Sequence, residues 1–150
     1  MPEWIAAELK ALDSASRGIA KATDLKELKA IRDRAEAARH YAQSIGMGLP
    51  VQNQAAEVKL RAERRVGKLL ADLIKRGGDR KSITHNKKLK LSDLGIDHNQ
   101  SARWQRGACV PDEVFEEYIA AAREYGKPIT ARGLVRLERM LAQKRSNREP

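Results

Sequence analysis

The stretch Leu91-Ser92-Asp93-Leu94-Gly95-Ile96-Asp97-His98-Asn99-Gln100-Ser101-Ala102-Arg103-Trp104-Gln105-Arg106 decides how the chain is read. Its first residues point to a short helix ending at Leu94, a positive-φ turn at Gly95 and an apolar plug at Ile96. Asp97 or Asn99 can cap a second helix containing Gln100 to Arg106. A helix, a tight glycine turn and a second helix rich in hydrogen-bonding side chains make the helix-turn-helix layout. Leu91, Leu94, Ile96 and Trp104 are expected to pack the two helices together, with Trp104 as the packing anchor. Asn99, Arg103 and Arg106 recur at intervals of 4 and 3 and so share one face, flanked by His98 and Ala102.

That face has the chemistry of a groove reader. Arginine presents two donors that match guanine O6 and N7, and asparagine or glutamine can pair with adenine N6 and N7. Asn99 and Gln100 lie at the helix N-terminus, the end that meets base edges in such motifs. Asn99, Gln100, Arg103 and Arg106 are therefore the expected base-reading residues, with His98 as a phosphate contact. His40, His85 and Cys109 show no ligand spacing around His98, so no metal site is expected.

Downstream, Pro111-Asp112-Glu113 suits a helix start, because proline needs no N–H there and the acids complement the positive end of the helix. Val114, Phe115, Tyr118, Ile119 and Ala122 form its apolar face, and Gly126 stops it. Thr130 is expected to cap a last helix with Leu134, Leu137, Met140 and Leu141 inward and Arg132, Arg136 and Arg139 outward. Arg132 and Arg136 are placed among the phosphate contacts, with a tail over 146–150.

Upstream, Trp4, Ile5, Leu9 and Leu12 mark a short amphipathic helix after Pro2, broken between Ser14 and Lys21. Thr23 or Asp24 reads as the next N-cap, and Asp24 and Glu27 have capping-box spacing, with Asp in the Ser/Thr place. From there Leu28, Ile31, Ala35, Ala38, Ala42 and Ile45 recur at intervals of 3 and 4, a coiled-coil seam with small residues in it. Gly46-Met47-Gly48-Leu49-Pro50 breaks the run. A second long helix follows from about Val51 to Arg76, with Val51, Ala55, Val58, Ala62, Val66, Leu69 and Leu73 on one stripe. No Lys or Arg lies on that stripe, so the basic residues are expected to point outward. The short loop favours an antiparallel hairpin over one bent rod, its seam satisfied within one chain or between two. The fold class is thus all-α: a hairpin over 1–76, a basic linker over 77–87 and a helix-turn-helix domain over 88–145.

Charge adds the partner class. The 150 residues hold 30 Lys and Arg against 20 Asp and Glu, a net charge of +10. Residues 1–58 balance at eight of each sign, whereas residues 59–90 carry twelve basic and three acidic side chains. Beyond Gly126 seven basic residues face two acidic ones. Grouping of this kind exceeds what solubility requires and favours a polyanion. Arg61, Arg64, Arg65, Lys68, Arg80, Lys81, Lys87, Lys88 and Lys90 are the remaining expected phosphate contacts. Lys81-Ser82 follows glycines, but Arg80 stands where a phosphate-binding loop needs glycine, and no apolar strand precedes it.

Other classes recede. No window approaches the roughly 18 apolar residues of a membrane span, and the N-terminus lacks a signal-peptide layout, so a cytoplasmic, nucleoid-associated protein is expected. The single cysteine, Cys109, makes no internal disulfide. Aromatics are only 4% of the chain, which disfavours base stacking on single strands. The acids sit at caps and ion-pair positions, and no nucleophile motif survives, so neither an enzyme nor a cofactor is expected.

The stretch resembles the helix-turn-helix domain of ParB/KorB-type DNA-binding proteins of plasmids, phages and chromosomes. The resemblance rests on Leu94-Gly95, Asn99 to Trp104, Arg106, Val110-Pro111-Asp112-Glu113-Val114 and Gly126-Lys127-Pro128-Ile129-Thr130-Ala131, and covers roughly residues 88–140. Ser101 stands where the family usually has an apolar residue, and nothing matches the family's nucleotide-binding N-terminal domain. The resemblance implies DNA binding without nucleotide hydrolysis or partition. The Arg61-Ala62-Glu63-Arg64-Arg65 segment is similar to small proteins encoded on phages and mobile elements. A sequence-preferring double-stranded DNA-binding protein is the leading expectation. One recognition helix spans few base pairs, so a homodimer or a second contact surface is expected with it. The contrasting expectation is an interaction module whose hairpin docks an acidic protein or a second copy.

Overall fold

The computed structural model describes residues 2–75 and 91–148, and the expected linker over 77–87 lies outside them. The described residues form six α-helices and two short 3₁₀ turns, with no strand among them. The all-α class expected from periodicity is what the chain adopts.

Helix α1 (Glu3–Ser16) buries Ile5, Leu9 and Leu12, and a 3₁₀ turn over Ile19–Lys21 buries Ile19. Trp4, expected on the apolar face, is 52% exposed and instead lies against Tyr41, with ring centroids 4.4 Å apart. Helix α2 (Leu25–Ser44) starts at Asp24, whose carboxylate accepts from the backbone N–H of Lys26 and Glu27 at 3.0 and 3.3 Å. It ends in a left-handed residue, Gly46 at φ +74°, and the Met47 N–H donates to the Ala42 carbonyl at 2.9 Å. Only glycine adopts that φ without a Cβ clash. Ile45 therefore leaves the seam and is exposed at the bend.

Helix α3 (Leu49–Lys75) begins two residues before the expected Val51, because Pro50 fits a first turn that needs no N–H there. Arg32 pairs with Glu63 at 2.8 Å and Glu36 with Lys59 at 2.9 Å. Both pairs straddle the Gly46–Gly48 bend symmetrically, the signature of an antiparallel hairpin. Leu28, Ala35 and Ala38 of α2 meet Ala55, Val58, Ala62 and Val66 of α3 in one core, so the seam is satisfied within a single chain. Alanines bury little area each, and Ile5, Leu9 and Leu12 of α1 complete the cluster.

A second face of α3 does what its apolar stripe did not foretell. Ala56 and Leu60 enter another core with Val110, Phe115, Ile119, Ala122, Ile129 and Leu134, built on α5 (Asp112–Tyr125) and α6 (Ala131–Arg148). Asn53, 7% exposed, donates to the Lys127 carbonyl at 2.8 Å and accepts from the Ile129 N–H at 3.0 Å, fixing the α5–α6 loop. On the inner face of α6 Leu134 is buried, while Met140, expected inward, is exposed. Helix α3 thus contributes side chains to both cores.

Helix α4 (His98–Ala108) lies across α3 at Gly67. A Cβ built on Gly67 would stand 2.0 Å from the Trp104 carbonyl oxygen, a backbone atom that cannot swing aside. Leu94, Ile96 and Trp104, expected to pack two short helices on each other, instead join the core of α1, α2 and α3. Immediately before Gly95 the described residues form a 3₁₀ turn, Leu91–Leu94, which ends where the first short helix was expected to end, and the residues just before Leu91 lie outside them.

Two predictions follow from this packing. Gly67→Ala gains about 1 kcal/mol of helix propensity, whereas displacing α4 costs roughly 1–3 kcal/mol or more. Chemical denaturation is expected to show net destabilisation, and a more stable variant would contradict the crossing. The second prediction concerns acid. Burial raises the Glu36 pKa, but hydrogen bonds from Arg39 and Lys59 outweigh it and bring it to about 2. A carboxylate depressed in the folded state stabilises above its unfolded pKa, near 4.5, and loses that contribution as pH falls towards 2. Glu36→Gln is expected to lose about 1 kcal/mol or less at neutral pH and to flatten the stability profile between those values in acid titration.

Candidate nucleic-acid interface

The interface starts from a glycine. Gly95 sits at φ +71°, its N–H donates to the Ser92 carbonyl at 3.1 Å, and the Ile96 N–H closes the turn on the Leu91 carbonyl at 3.0 Å. Asp97 then caps α4: its carboxylate accepts from the Gln100 N–H at 2.7 Å, while the Gln100 side-chain oxygen accepts from the Asp97 N–H at 3.2 Å. Gln100, expected among the base-reading residues, is committed to this capping box. Ser101 is buried, and the Gln105 side-chain amide donates to its hydroxyl at 2.9 Å. The buried Ser101 hydroxyl is thereby satisfied. Trp104, 4% exposed, is the anchor expected of it, with the Arg32 guanidinium 5.3 Å from its ring centre.

Asn99, Arg103 and Arg106 are exposed together on the opposite face of α4, with His98 and Ala102 beside them. Helix α6 runs next to this ridge. Between the two lies a groove of about 460 Å³ lined by Arg103, Arg106, Ala131, Arg132, Val135, Arg136 and Arg139. Five arginines line it, and no carboxylate does. Thr130 caps α6 with a neutral side chain, its hydroxyl accepting from the Gly133 N–H at 2.9 Å, and no acid occupies the first turn. The positive end of the helix is left uncompensated beside the arginines.

Most arginines elsewhere among the described residues have partners. Arg17, Arg34, Arg39, Arg123 and Arg145 each pair with a carboxylate. Arg61, Arg64 and Arg65, expected to point outward to phosphates, are half-buried and turned into the fold. Arg61 pairs with Glu57 at 3.0 Å and Glu116 at 2.7 Å, and its hydrogen bond to Glu116 is the leading cause that holds that carboxyl below its usual pKa. Arg64 donates to the carbonyls of Gly107 and Val110 at 3.3 and 2.7 Å and to Asp112 at 3.0 Å, with its guanidinium 4.2 Å from the Phe115 ring centre. Arg65 donates to the Ala22 carbonyl at 2.8 Å. The five groove arginines have no such partner among the described residues. Of the other expected phosphate contacts, Lys68 and His98 are exposed. Arg80, Lys81, Lys87, Lys88 and Lys90 lie outside the described residues.

Sequence reasoning missed three features. Gly67 was signalled by being an isolated glycine inside a long helical pattern. The Asn53 clamp gave no signal, because its partners are backbone groups more than seventy residues away. The groove itself joins two helices whose proximity no local pattern encodes. Among the described residues no group of three His, Cys, Asp or Glu side chains could hold a metal ion, and no helix is long and apolar enough to cross a membrane. No protein-family model, curated protein or solved structure matches this chain.

Arg64 and Lys68 offer a direct contrast. Arg64→Ala removes charge-assisted bonds to the C-terminal end of α4 and is expected to cost about 2–3 kcal/mol. Lys68→Ala is expected to stay within about 0.5 kcal/mol of the parent. Paired denaturant titrations check both values.

Proposed function

We propose that the protein is a non-catalytic, sequence-preferring double-stranded DNA-binding protein that lays α4 in the major groove. One observation carries the reading: an exposed Asn99–Arg103–Arg106 ridge shares its arginines with a groove whose five arginines have no partner among the described residues. Leaving that many like charges unpaired side by side is unfavourable in a free fold and favourable against a polyanion. In this reading Asn99, Arg103 and Arg106 probe base edges, while His98, Lys68, Arg132, Arg136 and the basic run of residues 80–90 meet phosphates. The resemblance of residues 88–140 to ParB/KorB-type domains supports the same class. It also suggests a nucleoid-associated regulator or accessory factor of a phage, plasmid or mobile element.

A second reading has its own observation. Trp4 and Ile45 are 52% and 45% exposed, which suits the hairpin as a docking face for a protein partner or a second copy. Light scattering with and without duplex separates the two, since docking predicts assembly without DNA.

Selection from random duplexes followed by fluorescence anisotropy tests the DNA reading. Affinity for the recovered site is expected to fall by about 10³–10⁵ between 50 and 200 mM salt if six to ten phosphates are neutralised. Arg103→Ala is expected to cost about 1–3 kcal/mol on that site and less on random DNA. Equal losses on both would remove Arg103 from base readout.

A further inference from the structure

We propose that the α4–α6 groove holds the sugar–phosphate backbone of one DNA strand, so that a single copy of the chain grips a duplex through two helices. The proposal rests on the DNA-binding reading and adds the second contact surface and the stoichiometry. Arg132, Arg136 and Arg139 recur at intervals of 4 and 3, which puts them on one face of α6. Their stripe spans about 10 Å at the helical rise of 1.5 Å per residue. A duplex strand rises about 3.4 Å along the duplex axis per phosphate and winds as it rises, so a stripe of this length laid along the strand faces about two phosphates. The opposite wall is α4, where Arg103 and Arg106 stand. Small residues, Ala131 and Val135, lie between the arginines and leave room for a chain of phosphates to approach.

Electrostatics within α6 point the same way. Its only acid, Glu138, pairs with Arg145 at 3.0 Å and does not line the groove. The hairpin seam is filled within one chain, so it supplies no reason for a second copy. A two-helix grip gives one chain the contact length that a lone recognition helix lacks.

The test compares the full chain with the Arg132→Gln/Arg136→Gln/Arg139→Gln variant and with Arg139→Gln alone. Circular dichroism first establishes that each variant keeps its helix content. Anisotropy on a selected duplex and a random duplex, each 24 base pairs or so, is then followed from 50 to 300 mM NaCl. The triple variant is expected to lower the salt slope by about 2 and Arg139→Gln by about 1 or less, with the selected-to-random affinity ratio unchanged. Sedimentation of the parent with the duplex is expected to give one chain per site. An unchanged slope in folded variants, or two chains per site, would overturn the clamp and leave DNA binding intact. Failure of the parent chain to bind either duplex at 50 mM salt would overturn the underlying reading and the clamp with it. If the triple variant misfolds, Arg139→Gln, at an exposed position, decides alone.

Discussion

The missing side chain at Gly67 sets the position of everything that follows it in space. Because nothing projects from that residue, the α4 backbone at Trp104 lies directly on the α3 backbone. The indole beside that contact is then driven into the core of α1, α2 and α3, and the opposite face of α4 is left outside. A helix of eleven residues has little intrinsic stability in water. Its existence depends on this contact, on the Asp97–Gln100 box at its start and on Arg64 at its end. The exposed ridge follows from what is buried behind it.

Helix α3 links the two cores, and this explains how its basic residues are used. One face meets α1, α2 and α4, another meets α5 and α6, and few directions remain for solvent. Arg61, Arg64 and Arg65 fall between these faces and become cross-braces, reaching carbonyls and carboxylates of neighbouring elements. Glu63 is buried beside Arg32 and Lys59 for the same reason: a charge enclosed there requires opposite charge at hand. The helical part of the positive block is therefore largely engaged inside the fold, and five arginines without a partner among the described residues gather outside that block, where α4 meets α6.

Much of the architecture was legible along the chain, and the reasons are local. Gly95 takes the left-handed conformation expected of it, and Gly46 and Gly126, expected as breaks, take it too, since a turn of that kind is written in a few adjacent residues. Asp24, Asp97 and Thr130 cap the helices their positions suggested. What the sequence did not disclose involves two distant elements at once. The outward direction assigned to Arg64 came from a single apolar stripe, which is silent about a helix with two buried faces. Gln100 is a similar case: its spacing fits base contact and a capping box equally well, and the backbone N–H of Asp97 is the nearer partner. Asn99, one residue earlier, escapes that competition and stays exposed.

Restraint of α4 from several sides bears on how it could discriminate among partners. Arg32 packs on Trp104 from behind while its guanidinium is held by Glu63, and burial, which lowers its pKa, is outweighed by those hydrogen bonds, so that it stays charged. Arg64 holds the far end through two carbonyls. The backbone under Asn99, Arg103 and Arg106 is thus fixed before any ligand arrives, and only side-chain ends remain to be ordered. Ordering a long side chain costs about 0.5–1.5 kcal/mol, less than rearranging a helix. A rigid ridge also cannot slide to accommodate a misplaced acceptor, and a donor facing no acceptor at a desolvated contact is penalised by about 1–3 kcal/mol. In the proposed reading, selectivity on this surface would arise from the fixed spacing of three side chains on a braced helix, while the α6 arginines without partners among the described residues would add attraction that is indifferent to sequence.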